Sequence, residues 1–539
     1  MRQTVLEGAV RARFEAGLPL LLKTQRWFGG KARELTAAHI VDSIPIPYGR
    51  GGTGLLLIDA EYGDGAHEIY LLPLASAFGA EAGRISHDMP GAVLAHVAAD
   101  DTEGREEGIL YDAMWDSAVL HVLMRAMAQG SRLDGERGRL QASSTAAYQT
   151  MVPSDDPLPS RLLSMQQSNT TVALGEAAVL KLYRRVQPGI NPDWEIGRYL
   201  TDHGFSHSPA VGGAIEYVTS GESATVALLQ SYVRNKGDAW GEALKQLDGF
   251  LARVPAQRPP GESNTGGDRL PWDLAQSPVP EAARQLIGPG LDAAACLARR
   301  TAALHRTLGH THDDPDFVPE PLTAEYRQSR HRSMQEMWKQ VARLLAQRSL
   351  TIPSMREEAE QLLAQESAVL SVFESLLEMQ AGGRRIRCHG DYHLGQVLWT
   401  GSDYVVTDFE GEPARPLQER RLKQSPLYDV AGMLRSFDYA SWTALGSRQP
   451  NDQRNLEPWR RYWSRWVCAC FLGEYLSAMK EAALLPPSPS DAARLLTVYQ
   501  LEKAVYELGY ELNNRPEWVG IPMKGIHEIV HMSRANTAA

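Results

Sequence analysis

Cysteine is scarce: Cys296, Cys388, Cys468 and Cys470 are the only four in 539 residues. So few thiols cannot frame a chain of this length with disulfides, and their spacing fits no zinc pattern. Reduced, mostly buried thiols are expected. Long apolar runs are missing as well. None approaches the ~18 residues that raise a membrane span. The opening MRQTVLEGAVRARFEAG lacks the apolar core and small-residue cleavage site of a secretory signal. A cytoplasmic protein with no membrane partner is expected. A basic excess is absent too: the formal net charge is −10, which speaks against nucleic acid as a partner. Two phosphate-binding signatures are also wanting. No G-x-x-x-x-G-K-[ST] occurs, which argues against a P-loop NTPase, and no G-x-G-x-x-G precedes the strand of Lys181. There is no internal repeat of fixed period.

What is present is an ordinary globular mixture, 43% hydrophobic and 22% charged. The chain is long enough for a sizeable core and for two to four domains. Residues 1–110 read as a small α+β unit. Within it HIVDSIPIPY is a candidate strand, and GLLLIDAEY and HEIYLLPLA form a hairpin about the GDGA turn. A helix from about Glu107 to Gln129 is expected to lead out. Residues around 160–235 alternate strands and turns: TTVALG pairs with AAVLKLYRR across Gly175-Glu176, PDWEIGRYLTDHG is a helix ending at Gly204, and ATVALLQSYV is a strand. From 236 to 539 the pattern is mainly helical. It is broken near 253–280 by RVPAQRPPGESNTGGDRLPWDLAQSPVP, whose Pro, Gly and Ser content reads as a loop or partly disordered insertion.

The chemistry is concentrated in RCHGDYHLGQVLWTGSDYVVTDFEGEP, residues 387–413. Asp391 follows His389-Gly390, Gln396 comes five residues later at the start of QVLW, and Asp408 ends YVVTDF. A hairpin of those two strands brings Gln396 and Asp408 to one rim, with Asp391 facing the same space. Phosphoryl transfer needs this set: a carboxylate to orient and deprotonate the attacking hydroxyl, and oxygen ligands for magnesium. The order H-G-D, Gln, D-F-E parallels the H-R-D, Asn, D-F-G of protein kinases. Asp391 is therefore the candidate base, Gln396 and Asp408 the candidate Mg2+ ligands, and ATP the expected donor. A zinc reading of His389 and His393 fails for want of a third ligand and an H-E-x-x-H helix; structural roles are expected for both.

For the nucleotide, Lys181 in VLKLY points away from Leu180 and Leu182 and is the candidate phosphate contact, with Glu195 of the next helix as its partner. Ser168, Asn169 and Thr170 in MQQSNTTVALG are candidates to line the phosphates in place of glycines. Gln230, Tyr232 and Val233 fall where the chain passes between lobes and are candidates to bond adenine.

HGDYHLGQVLW, TDFEGEPARP and SPLYDVAGMLRSFDYA, with RWFGGK near the start, QQSNTTV, and EKAVYELGYELNNRP near the end, resemble the maltokinases, notably the kinase part of trehalose synthase–maltokinase fusions. The resemblance runs from about residue 20 to 525 apart from the Pro-rich insertion. It implies a bilobal, protein-kinase-like α+β fold with an N-terminal cap (1–110), an N-lobe (111–235) and a mainly helical C-lobe (236–539). It also implies transfer of the ATP γ-phosphate to the anomeric hydroxyl of maltose, in glucan synthesis, with a functional link to trehalose synthase. By carry-over Glu410 aids the metal or the sugar.

On a helix, Tyr506, Glu507, Tyr510 and Asn513 of YELGYELNNRP fall near one another by i, i+3 and i+4 spacing. Aromatic faces and carboxylates suit a sugar, and Arg435 and Asp438 are candidates to join them. RWFGGK is expected to pack the cap. Two alternatives stand beside maltose: a kinase of another sugar such as glucosamine or an aminoglycoside, and a pseudokinase acting as a binding module. Retention of Asp391, Gln396, Asp408 and Lys181 weighs against the last.

Overall fold

The computed structural model describes the chain except residues 1–5, 7, 49–51, 102–103, 155, 167–168, 255–269, 311–313, 353–354, 381 and 539. It divides into two compact units, residues 1–234 with 415–419, and residues 235–414 with 420–539.

The first unit opens with helix α1 (Gly8–Thr24) and an antiparallel sheet of β1 (Leu35–Pro45), β2 (Thr53–Tyr62), β3 (His67–Phe78), β4 (Val93–Asp101) and β5 (Gly104–Asp112), in the order β1-β2-β3-β5-β4. Helix α2 (Gly79–Asp88) links β3 to β4. The expected hairpin is β2–β3, in register from Thr53–Ala75 to Glu61–His67. Gly65 in its turn takes a φ of 79°, which a side chain would resist. The helix expected from Glu107 is a strand up to Asp112. Gly108 lies against the Phe78 ring, and Ile109, Leu110 and Tyr111 pair with β3 on one side and β4 on the other, so tertiary pairing overrides the helical reading. Helix α3 starts only at Ser117, capped by the Asp116 carboxylate on the Ala118 amide, and runs to Gln129.

A second sheet follows, built from β6 (Arg132–Asp134), β7 (Arg139–Ser144), and, after the short α4 (Ala147–Met151), β8 (Ser160–Gln166), β9 (Asn169–Leu174) and β10 (Ala178–Tyr183). Strand β11 (Arg185–Val186) leaves this sheet and pairs with β3 of the first. Helix α5 (Pro192–Asp202), β12 (Val211–Val218) and β13 (Ser223–Ser231) complete the unit, with strand order β6-β7-β12-β13-β10-β9-β8. One apolar core runs from the first sheet through α3 to the second, joining Leu55, Leu57 and Leu71 to Leu120 and Leu123 and to Val172, Leu180 and Leu182. Each such side chain contributes about 1.5–3 kcal/mol when fully buried.

The second unit is mainly helical: α6 (Ala239–Arg253), α7 (Pro271–Ala275), α8 (Glu281–Ile287), α9 (Pro289–Leu308), β14 (Glu320–Pro321), α10 (Ala324–Thr351), α11 (Arg356–Leu363), α12 (Glu366–Glu374), β15 (Arg384–Arg385), β16 (Val397–Trp399) and β17 (Tyr404–Val406). After the short α13 (Leu417–Arg420), of which residues 417–419 belong to the first unit, come α14 (Leu427–Gly446), α15 (Pro450–Met479), α16 (Pro489–Asn514) and α17 (Gly520–Ala538). Helix α14 packs on both α15 and α16, and α9 lies along α15. Phe437, Trp463 and Phe471 meet edge to face between α14 and α15. Part of the Pro-rich insertion departs from the loop expected: Pro271 at the first helical position starts α7. Residues 255–269 lie outside the described residues. All four thiols are free. Among the described residues no helix is long and apolar enough to cross a membrane.

Candidate active site

In the first unit, Lys181 sits in the middle of β10, opposite Thr171 of β9 and Leu228 of β13. Leu180 and Leu182 enter the shared core, so the two-residue period sends Lys181 to the other face, where Trp194, Val211 and Leu228 cluster. Its ammonium lies 2.8 Å from Asp193 Oδ2, and the Tyr183 hydroxyl donates to the same oxygen at 3.0 Å. Asp193 is fully buried in the first turn of α5. Asn191 caps that turn by accepting from the Asp193 amide at 2.9 Å, and Pro192 occupies the first helical position. A carboxylate at a helix N-terminus is favoured by the helix dipole. Asp193 is thus one carboxylate set against Lys181, and Glu195, the partner expected from sequence, is buried two residues further along the same helix.

Thr170 corrects another expectation. Its hydroxyl accepts from Arg184 Nε at 2.8 Å, and the side chain is fully buried on the face opposite Lys181. It is therefore no phosphate ligand through its hydroxyl. Asn169, opposite Tyr183, shares the strand face of Lys181. Ser168 lies outside the described residues. Gln230 pairs with Val179 and Val211 near the end of β13. Beyond it the Tyr232 amide donates to Ala177 O at 3.0 Å, and Val233 follows.

In the second unit, the loop of Asp391 is held by its backbone. Asp429, in the first turn of α14, accepts the amides of His389 at 2.8 Å and Gly390 at 3.0 Å. The same carboxylate meets His305 Nε2 of α9 at 3.0 Å, and His305 Nδ1 meets the Tyr475 hydroxyl of α15 at 2.9 Å. Burial would raise the Asp429 carboxyl, but its bonds to His305 and the loop outweigh that and hold it below the usual range. Three helices thereby fix one loop. His389 Nε2 donates to Thr407 O at 2.9 Å, which leaves Nδ1 to accept from the Asp391 amide at 3.4 Å. His393 Nδ1 accepts from the Gly395 amide. Both histidines thus serve the backbone of the loop.

Gln396 ends a short 3-10 turn, and its carbonyl accepts from the Thr407 amide at 2.9 Å. The β16–β17 hairpin therefore brings Gln396 to the rim where the chain reaches Asp408. Strand β17 stops at Val406, two residues earlier than expected, because Asp408 takes a φ of 67°. Left-handed backbone at a non-glycine is disfavoured and tends to mark functional positions. Gln396, Asp408 and Glu410 supply only oxygen donors, a set that suits a hard cation such as magnesium and not a soft one.

Lys503 of α16 is not singled out by its sequence pattern, yet it holds this site together. Its ammonium lies 3.1 Å from Asp391 Oδ1 and 2.5 Å from Glu412 Oε1, and Glu412 also accepts from the Tyr428 hydroxyl at 2.9 Å. Burial would lower the Lys503 pKa; the Glu412 and Asp391 carboxylates override it and push it well above the ordinary value. One turn further along α16, Tyr506 presents its ring 5.1 Å from the same ammonium.

Arg435 of α14 grips Glu507 Oε2 with Nε at 3.1 Å and Nη2 at 2.7 Å, and Asp438 with Nη1 at 3.0 Å. Arg460 of α15 takes the other oxygen of Asp438 at 3.1 Å. The structure thus joins Arg435, Asp438 and Glu507 in one network. Tyr510 is exposed, and Asn513 donates to Gly509 O of its own helix at 3.0 Å, so neither is drawn into it.

A strand lysine gripped by a buried helix carboxylate, and a carboxylate loop followed by an oxygen-rich hairpin, define a kinase-like phosphotransferase with a hydroxyl acceptor. Residues 21–116 match the model of the maltokinase N-terminal cap domain, and residues 160–463 that of the phosphotransferase enzyme family. The chain belongs to the phosphotransferase enzyme family and carries a maltokinase-type cap. It is 25% identical to a glucosamine kinase of Mycolicibacterium smegmatis over 67% of this chain and 77% of that one. It is 26% identical to a glucosamine kinase of Streptacidiphilus jiangxiensis over 67% and 71%. Its fold is similar to that of a glucosamine kinase in complex with glucosamine, ADP and inorganic phosphate, with a TM-score of 0.59 and 19% identity over 90% of this chain and 94% of that one.

Asp193, Glu412, Asp429 and Lys503 contact the candidate site residues, and the sequence alone does not single them out. Each lies inside a segment that it does: PDWEIG, DFEGEP, SPLYDVAG and EKAVYELG. The available signal was a charged residue flanked by apolar ones on a helix, such as Asp429 between Tyr428 and Val430.

Proposed function

We propose that this protein is a magnesium- and ATP-dependent sugar kinase whose acceptor is the anomeric hydroxyl of maltose. The observation that carries the reading is the bond from Lys503 to Asp391, which ties the candidate base to the helix bearing Tyr506 and Glu507. Asp391 orients the sugar hydroxyl and accepts its proton as the oxygen attacks the γ-phosphorus; ADP leaves. Lys503 keeps that carboxylate aimed. Gln396 and Asp408 would hold Mg2+, which supplies charge neutralisation at the transferring phosphate. Lys181, steadied by Asp193, contacts the nucleotide phosphates.

Two features support a neutral sugar. The cap matches the maltokinase type. Glu507 and Asp438 already carry guanidinium partners and are poorly disposed to receive an ammonium group. Glucosamine is the second reading, favoured by the names of the curated relatives.

An ADP-release assay with magnesium-ATP and maltose, glucose, glucosamine, trehalose and kanamycin tests this. Activity with maltose and a non-reducing phosphorylated product is expected. Turnover of glucosamine alone would replace the acceptor and keep the mechanism. Silence across the panel, together with no magnesium-dependent nucleotide binding by calorimetry, would overturn the kinase reading.

A further inference from the structure

Arg184 is a fully buried cation with no role in the reaction described above. It leaves the nucleotide sheet just after β10 and reaches into the cap. Nη2 meets Asp112 Oδ2, at the end of cap strand β5, at 2.5 Å. The guanidinium lies 4.9 Å from the ring of Trp27, the buried tryptophan of RWFGGK. Its own carbonyl accepts from the Leu71 amide of β3 at 2.7 Å. Nε turns back to the nucleotide sheet and donates to Thr170 Oγ1 of β9. Thr170 stands opposite Leu182, one residue from Lys181.

The apolar core between the two sheets would hold them together without a charge. A buried ion pair adds little net stability, because desolvation offsets most of the attraction. What it does add is direction. The fork of a guanidinium fixes the angle between Asp112 and Thr170 in a way that oily side chains do not. The strand so fixed is the partner of β10, and β10 carries Lys181 on its far face.

We propose that Arg184 is a positioning residue through which the cap sets the register of β9 on β10, and with it the affinity for nucleotide. The inference rests on the reading of Lys181 as a nucleotide contact. RWFGGK acts in it as the wall against which the guanidinium is packed.

The test uses the full-length enzyme and compares Thr170→Val, Arg184→Lys and Lys181→Met. Arg184→Lys keeps the charge beside Asp112 and loses the fork that also reaches Thr170; Thr170→Val is nearly isosteric and loses only the acceptor. KM for ATP should rise roughly tenfold in both, the scale of one lost charge-assisted hydrogen bond, with KM for the acceptor and kcat unchanged. A general loss of packing would instead lower kcat or move both KM values, and that outcome overturns the proposal, as does an unchanged KM for ATP in both variants. If Lys181→Met also leaves KM for ATP unchanged, the nucleotide reading of this sheet falls with it. If Lys181→Met weakens ATP while the other two do not, only the coupling through Arg184 falls. Because Arg184→Lys risks misfolding, ADP binding to Thr170→Val is also measured by calorimetry. Weakened binding there supports the coupling, and unchanged binding overturns it.

Discussion

Two buried lysines, one in each unit, are held in different ways. Lys181 lies on a strand, and Asp193, twelve residues along the chain, holds it from the first turn of the next helix. Lys503 lies mid-helix between Asp391 and Glu412, which are 112 and 91 residues away. The first is a local device of a sheet and the helix that follows it. The second is a long-range clasp that can form only when α16 has docked. The difference shows where each role is encoded. A strand's two-residue period sorts Lys181 from its leucine neighbours in the sequence itself. The carboxylates beside Lys503 in sequence mislead instead, because Glu502 pairs with Arg330 and Glu507 with Arg435.

The sharpest way to break the comparison is to remove what Lys503 aims. Asp391→Asn should cut turnover by about 10²–10⁴-fold, the range of general-base contributions, and leave ADP binding within about twofold of the parent. Single-turnover kinetics and calorimetry read the two separately. Normal turnover would show that the proton goes elsewhere.

Next in size is Lys503→Met. It takes the ammonium away from buried Glu412, which keeps the Tyr428 hydroxyl, and should destabilise the protein by up to about 3–5 kcal/mol while lowering kcat. Glu412→Gln on the same background should recover much of that stability, since the buried charge goes with its partner, and should not recover kcat. Denaturant unfolding and steady-state kinetics check the pair. Recovery of both would reduce Lys503 to a structural counter-ion.

Lys181→Met is expected to act on the other half. KM for ATP should rise and kcat should fall less than in Asp391→Asn, because the lysine binds phosphate in ground and transition state alike. An effect on the acceptor KM alone would contradict the assignment.

How far the sequence carries follows from the same contrast. The loop of Asp391, the hairpin of Gln396 and Asp408, and the strand face of Lys181 are legible because they depend on short spacing within one loop, hairpin or strand. Asp193 is passed over in the sequence because a local pattern does not say which carboxylates of one short helix reach the lysine; the cap at Asn191 that binds its amide is seen only in the fold. Thr170 looks like a phosphate ligand only until the strand parity that sorts Lys181 is applied to its neighbour strand as well. The strand at 107–112 reads as a helix because its two sheet partners, at Leu74–Phe78 and Val93–Asp101, are not revealed by the local pattern. Asp429 and Lys503 depend on helix packing, which no local pattern records.

The smallest effect concerns the brace behind Asp391. Asp429 is ionised in the fold, with its pKa held below the usual carboxylate value by His305 and the loop amides. An acid whose native pKa is depressed stabilises the fold above its unfolded pKa, and that stabilisation is lost as pH falls through the native value, because the unfolded chain then binds the extra proton first. The unfolded value is about 3.9, so the Asp429 contribution should be complete above about pH 5 and vanish on the acid side. Asp429→Asn keeps one acceptor and loses the charge. It should therefore be less stable than the parent at about pH 7, with the gap between them closing as pH drops below about 4. Urea midpoints measured from about pH 3 to about pH 8 give that gap directly. A gap that stays constant across the range would mean that shape, and not charge, is what Asp429 lends the loop. The charge-dependent support of the candidate base would then rest with the clasp at Lys503, which binds its carboxylate directly.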